Sequence, residues 1–172
     1  LDKVFETRGG PTVTIEDLTV QGGNAANKWG GGINMENGGT VVLNRLLIRS
    51  NNGASGGGIY NYQGNLTVID TTLAENTGSY GAGIYNDGGI AVLNRVTISE
   101  NHASNDGGGV YAFGAGANTT LTNVTISGNT ADARGGGYAT SKINSLTNVT
   151  IAYNTAPIAG GIFISNPGSI DL

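Results

Sequence analysis

The stretch Gly56-Gly57-Gly58-Ile59-Tyr60-Asn61 (GGGIYN) returns as GAGIYN (Gly81 to Asn86) and again as GGGVYA (Gly107 to Ala112). Glycine loses more backbone freedom on folding than any other residue. A chain that repeats it beside an aliphatic and an aromatic residue therefore needs a structural reason. The residue after the glycines falls at Ile33, Ile59, Ile84, Val110, Tyr138 and Ile162, in steps of 26, 25, 26, 28 and 24. A second mark is an aliphatic residue followed three later by asparagine. It falls at Ile48/Asn51, Leu73/Asn76, Ile98/Asn101, Ile126/Asn129 and Ile151/Asn154, in steps of 25, 25, 28 and 25. Both marks widen across Phe113 to Asn118 (FGAGAN), which lengthens one turn. Two independent marks that keep one register define a structural repeat.

Each copy carries short runs of β type. LTNVTISGN (Leu121 to Asn129), LTNVTIAYN (Leu146 to Asn154), VLNRVTISEN (Val92 to Asn101) and VLNRLLIRSN (Val42 to Asn51) match one another. In them Val96 and Ile98, Val124 and Ile126, and Val149 and Ile151 alternate with Thr97, Thr125 and Thr150. That period of two is the strand signal. No helical period is sustained, and the glycine content argues against helix. A unit of about 25 residues cannot bury its own apolar face, but stacked units can. The sequence therefore predicts an all-β chain: a right-handed, single-stranded parallel β-helix of about six coils, 24–28 residues per coil. The hand follows from the general handedness of parallel crossovers. Such a rod is roughly 30 Å long at ~4.8 Å per rung.

Composition agrees with one such domain. The chain has 172 residues, of which 31 are glycine and 12% are charged. We expect a single domain over 1–172, with the repeats over 11–169 and residues 1–10 (LDKVFETRGG) forming an N-terminal edge or cap. The net charge of −4 comes without any basic run, so nucleic acid is not an expected partner. No apolar run reaches the ~20 residues of a membrane helix, so membrane insertion by this segment is not expected. There is no cysteine, which leaves the compartment open. The chain starts at Leu1, as expected of a processed protein or an excised segment.

The repeat assigns roles to its residues. The glycines are expected at a corner where backbones crowd and φ turns positive. Ile59 and its equivalents then point inward, and Tyr60 and its equivalents outward. The asparagine ladder Asn51, Asn76, Asn101, Asn129 and Asn154 is expected at another corner, in the left-handed conformation that asparagine tolerates, its amides bonding from coil to coil.

The combination of GGGI or GAGI with an Ile-x-x-Asn unit resembles the paired GGA-I and F-x-x-N repeats of chlamydial polymorphic outer-membrane proteins. An aliphatic residue here replaces the Phe of that pattern. LTNVTISGNTADARGGG (Leu121 to Gly137) also resembles the copies of bacterial secreted right-handed β-helix repeat proteins. The resemblance covers about residues 11 to 169. It implies a secreted or cell-surface passenger or stalk segment that carries adhesive or binding surfaces.

Catalytic chemistry is thinly represented. Glu75 and Glu100 hold equal repeat positions, and His102 is the only histidine; all three are expected as solvated turn residues. No catalytic residue, metal site or cofactor is expected. The residues before the glycine corners are Trp29, Ser55, Tyr80, Asp106, Arg134 and Ala159, which places Asp106 beside Arg134 as a surface ion pair worth about 0–1 kcal/mol. The outward column after each corner is Asn34, Tyr60, Tyr85, Tyr111, Ala139 and Phe163. Its aromatics form an expected exposed ladder, and Tyr60, Tyr85, Tyr111 and Phe163 are the candidate contact surface for a glycan or a cell-surface protein. A further outward column, Thr19, Leu47, Thr72, Thr97, Thr125 and Thr150, raises ice binding, but Leu47 and the neighbouring Arg49 interrupt it. The open ends of the rod invite end-to-end stacking. At SNPGSIDL (Ser165 to Leu172) the parent protein is expected to continue or the edge to pack on another molecule.

The expectation is thus a non-enzymatic extracellular or cell-surface segment for adhesion, spacing or ligand binding. A carbohydrate-active β-helix is the alternative.

Overall fold

The computed structural model describes residues 2–141 and 145–165. The edge expected at Ser165 to Leu172 falls outside them from Asn166 onward.

One coil shows the plan. After the Gly56 corner the chain runs through Ile59–Tyr62, turns at Gln63 and Gly64, and continues through Asn65–Ile69 and Thr72–Ala74. It turns again at Glu75 and closes through Thr77–Tyr80 to the next corner at Gly81. Successive coils lie parallel and in register: Ile33, Ile59, Ile84, Val110, Tyr138 and Ile162 form one line.

Three sheets result, with seven, ten and five strands. The seven-stranded sheet opens with Phe5–Thr7, which pairs with Ile33–Met35, so residues of the first ten add a rung to the stack. The ten-stranded sheet has two rows, and Asn118–Ser127 spans both as one strand. The earlier coils break between the rows at Asp17, Arg45, Asp70 and Arg95, each at a φ of 48° to 58°.

The inward residues are closed off completely. Ile59, Leu66, Val68 and Leu73 of one coil, and Ile84, Ala91, Leu93 and Ile98 of the next, are 0–1% exposed and belong to one continuous core. Each such aliphatic side chain contributes about 1.5–3 kcal/mol of burial. Behind the five-stranded sheet the section is narrow, and a small separate cluster of Ala82, Ala103 and Ala131 fills it.

The corners explain the glycines. The first glycine of the motif turns left-handed, as at Gly56 with φ 63°. The third faces the rung above: a Cβ on Gly58 would stand 2.6 Å from Gly83 O and 3.2 Å from the Asn76 amide nitrogen. The two corners therefore touch across the narrow side of the coil. In the last copy the left-handed place is taken by Ala159 (φ 54°), and Ile158 pairs with Arg134. The residue before that corner is thus Ile158, four before Ile162 as in the other copies, and not Ala159.

The asparagines bond from rung to rung as expected, but by a different conformation. The left-handed residue is the one before each asparagine: Ser50, Glu75, Glu100, Gly128 and Tyr153. The asparagines turn their amides inward. Asn76 Oδ1 accepts from Asn51 N and Asn51 Nδ2, both at 3.1 Å, while Asn76 Nδ2 donates to Ile48 O at 3.0 Å. The same pattern carries Asn76 to Asn101, Asn101 to Asn129, and Asn129 to Asn154.

Candidate functional site

The outward column lines up as its spacing requires. Asn34, Tyr60, Tyr85, Tyr111, Ala139 and Phe163 are successive partners in the seven-stranded sheet. It is not an open ladder, however. Tyr60 is only 3% exposed, and Tyr85 and Tyr111 are half-buried. The cover comes from two neighbouring columns. Trp29, from the residue before a corner, lies 5.4 Å from Tyr60 at 21° between planes. Tyr62, two residues further along the same strand, lies 6.3 Å away at 4°. Tyr80 and Phe113 flank Tyr111 in the same way, at 5.1 Å and 4.2 Å. Down the column Tyr60–Tyr85 and Tyr85–Tyr111 meet edge to face at 5.3 Å and 5.0 Å, the geometry that aromatic quadrupoles favour. Phe163 is half-buried under the Arg134 guanidinium, 4.8 Å from its ring centre.

One groove opens on this face. It encloses ≈ 330 Å³ and is lined by Trp29, Tyr60, Tyr62, Glu36, Asn37 and Asp87. Trp29 is 50% exposed and presents its ring to solvent. The Tyr60 hydroxyl donates to Asp87 Oδ2 at 2.8 Å. Burial first, and the Asp87 carboxylate second, hold the Tyr60 phenol well above its ordinary ionisation range. Burial does the same for Tyr85 and pushes Tyr111 up to about 12. Glu36 Oε1 accepts from Nδ2 of Asn34, a fully buried residue, at 3.0 Å. A second, charged trough shares Trp29 and Glu36 and adds Asp2, Lys3, Glu6, Arg8, Asn27 and Lys28. Its charges pair among themselves: Lys3 and Arg8 with Glu6, and Lys28 with Asp2.

The remaining candidates fall elsewhere. Glu75 and Glu100 are exposed on left-handed turns, away from the groove, and Glu75 accepts a bond from Ser50 Oγ. His102 is exposed, in the strand His102–Asp106 and not in a turn, with Nε2 3.0 Å from Asp132 Oδ1. Asp106 and Arg134 do pair across rungs, through two bonds of 3.1 Å and 2.7 Å. Asp106 is 2% exposed, so the pair is not the surface contact the sequence suggested. Removing the arginine would strand a buried carboxylate. The threonines of the further column are successive partners from Thr72 to Thr150, and Leu47 interrupts them. Among the described residues no group of three or more His, Cys, Asp or Glu could hold a metal ion.

Sequence reasoning missed two features. Asn61 and Asn86 form a second buried ladder: Asn61 Nδ2 donates to Asn86 Oδ1 at 2.8 Å and to Gly64 O at 3.1 Å. Their signal was the final letter of GGGIYN and GAGIYN. Glu36, Asn37 and Asp87 were also missed as groove residues, because Glu36 and Asn37 follow the end of one strand and Asp87 is the last residue of another.

The fold and this face define a parallel β-solenoid with an aromatic-walled groove on one sheet. The chain matches the family described as a right-handed β-helix region over residues 4–123 and again over 31–170, and it belongs to that family. Comparison with curated proteins and with solved structures finds no significant match in either.

Proposed function

We propose that this chain is a non-enzymatic, extracellular or cell-surface binding segment whose aromatic face holds a saccharide. The observation that supports this most is the groove itself. Its exposed indole and the Tyr62 phenol offer apolar faces to the C–H side of a sugar ring, while Glu36, Asn37 and Asp87 offer polar atoms to its hydroxyls. The solenoid supplies a rigid, preorganised support, which limits the ordering cost of binding. The resemblance to bacterial secreted repeat proteins supports the location and an adhesive or spacing role. The contact surface shifts from the tyrosine column to Trp29 and Tyr62, because Tyr60 is covered.

A glycan array followed by titration of each hit tests the reading. Trp29→Ala should weaken a specific saccharide at least about tenfold without changing the fold. Absence of any saccharide ligand, or binding indifferent to Trp29→Ala and Tyr62→Ala, would refute it.

Saccharide processing is the second reading, favoured by two carboxylates, Glu36 and Asp87, in one groove. Turnover of an oligosaccharide that Glu36→Gln or Asp87→Asn abolishes would replace the binding reading with this one.

A further inference from the structure

The charges around the groove say more about its ligand. Of its six lining residues, two are carboxylates and none is a cation. Both carboxylates are fixed by neutral donors from below. Fully buried Asn34 donates to Glu36, and nearly buried Tyr60 donates to Asp87. These bonds orient the groups and leave their charge in place. The nearest cation is Arg8, whose Nε stands 3.6 Å from Glu36 Oε2. Its side chain is 69% exposed and is shared with Glu6 at 3.1 Å, so it neutralises Glu36 only in part. Asp87 has no ion-pair partner among the described residues. Trp29 and Tyr62 stand beside these carboxylates, and the faces of such rings attract cations. Rings and carboxylates thus ask for the same partner.

We infer that the groove selects a saccharide carrying a protonated amine, an amino sugar, with its ring against Trp29 and its ammonium between Glu36 and Asp87. This inference rests on the saccharide-binding reading and narrows its ligand class. A uronate or sulfated sugar would bring like charge to two carboxylates. A neutral or N-acetylated sugar would cover the rings and leave both carboxylates without a cation. The ammonium satisfies both features at once.

The test compares three probes of equal length by calorimetry: an oligomer of glucosamine, its N-acetylated counterpart and an oligomer of a uronic acid. Mildly acidic pH keeps the sugar amines protonated. The glucosamine oligomer should bind about tenfold or more tighter than the N-acetylated one at low salt, and the uronate oligomer weakest. The preference should shrink severalfold on raising the salt from about 0.01 M to 1 M, a measurement that needs no variant. Glu36→Gln and Asp87→Asn keep the shape and the accepting atoms. Each should reduce the preference for the glucosamine oligomer over the N-acetylated one severalfold. Equal binding of the first two probes, or preference for the uronate, overturns the amino-sugar inference while the saccharide-binding reading stands. Failure of all three to bind, on a groove whose other ligands have also been sought by array, removes both.

Discussion

The hydroxyl of Tyr60 donates to the carboxylate of Asp87, one rung further along the solenoid, at 2.8 Å. The bond links two adjacent strands of the seven-stranded sheet and closes the floor of the groove. Tyr60 is almost fully buried, so its hydroxyl has no ready replacement partner. Asp87→Ala should therefore destabilise the protein by about 1–3 kcal/mol. Asp87→Asn, which keeps an acceptor, should cost less. Adding Tyr60→Phe to Asp87→Ala should recover part of the loss, because the stranded hydroxyl is then gone. Urea unfolding of the wild type and the three variants checks this; a double variant no more stable than Asp87→Ala would contradict it.

The same tyrosines set the alkaline limit of stability. Burial raises the ionisation of Tyr60, Tyr85 and Tyr111 in the folded state, Tyr111 to about 12. In the unfolded chain phenols ionise near 10. The folded protein therefore holds more protons between these values. The contribution is fully present below about pH 10 and is lost as pH rises toward and past about 12. Urea midpoints should fall steeply over that window. Phenolate absorbance should show one group of tyrosines titrating late or only on unfolding. Ordinary titration of all tyrosines in the folded state would contradict the packing.

Asn76 is an interior member of the asparagine ladder, bonded to a neighbour on each side. Its side chain accepts two bonds from Asn51 and donates to Ile48 O and to Asn101 Oδ1. Asn76→Ala would leave several buried groups unpaired and should cost about 3 kcal/mol or more. Asn154, half-buried at the end of the ladder, should cost less when changed to alanine. Chemical denaturation of both variants tests the gradient; equal losses would mean that the ladder is not cooperative.

Ala159 occupies the left-handed corner place that glycine holds in the copies at Gly56, Gly81, Gly107 and Gly135. A residue with a Cβ is strained there by roughly 1–2 kcal/mol. Ala159→Gly should therefore raise stability by about 0.5–1 kcal/mol, after the entropy that glycine adds to the unfolded chain. A thermal melt shows the sign directly, and a lower midpoint would contradict the corner geometry.

Much of this architecture was legible because the repeat is tight. Ile33, Ile59 and Ile84 share a column by arithmetic alone, and so do Tyr60, Tyr85 and Tyr111. The asparagine amides could be placed on each other for the same reason. What the sequence hid was sideways packing. Trp29 and Tyr80 belong to one column and Tyr60 and Tyr111 to another, and only the angle of the glycine corner brings them together. For that reason Tyr60 looked exposed. Asp106 looked superficial for a similar reason, since nothing in its spacing reveals that the corner closes over it. The left-handed place went to the residue before each asparagine because the amide must turn inward to reach the next rung. The alternating column Asp17, Arg45, Asp70 and Arg95 keeps the same period as the rest. It forms paired Asp17–Arg45 and Asp70–Arg95 contacts on left-handed backbone, and its spacing alone would have revealed it.

All of these predictions require neighbouring coils to lie in strict register. The chain has no cysteine, so a disulfide can report that register without interference. Thr72 and Thr97 face each other on adjacent rungs, whereas Ser99 faces Ala74. Thr72→Cys with Thr97→Cys should oxidise to a bridge in the folded protein with no loss of stability, since adjacent strands lie within disulfide reach. Thr72→Cys with Ser99→Cys, two residues off the line, should remain reduced. A bridge in the second pair, or none in the first, would contradict the stacked solenoid.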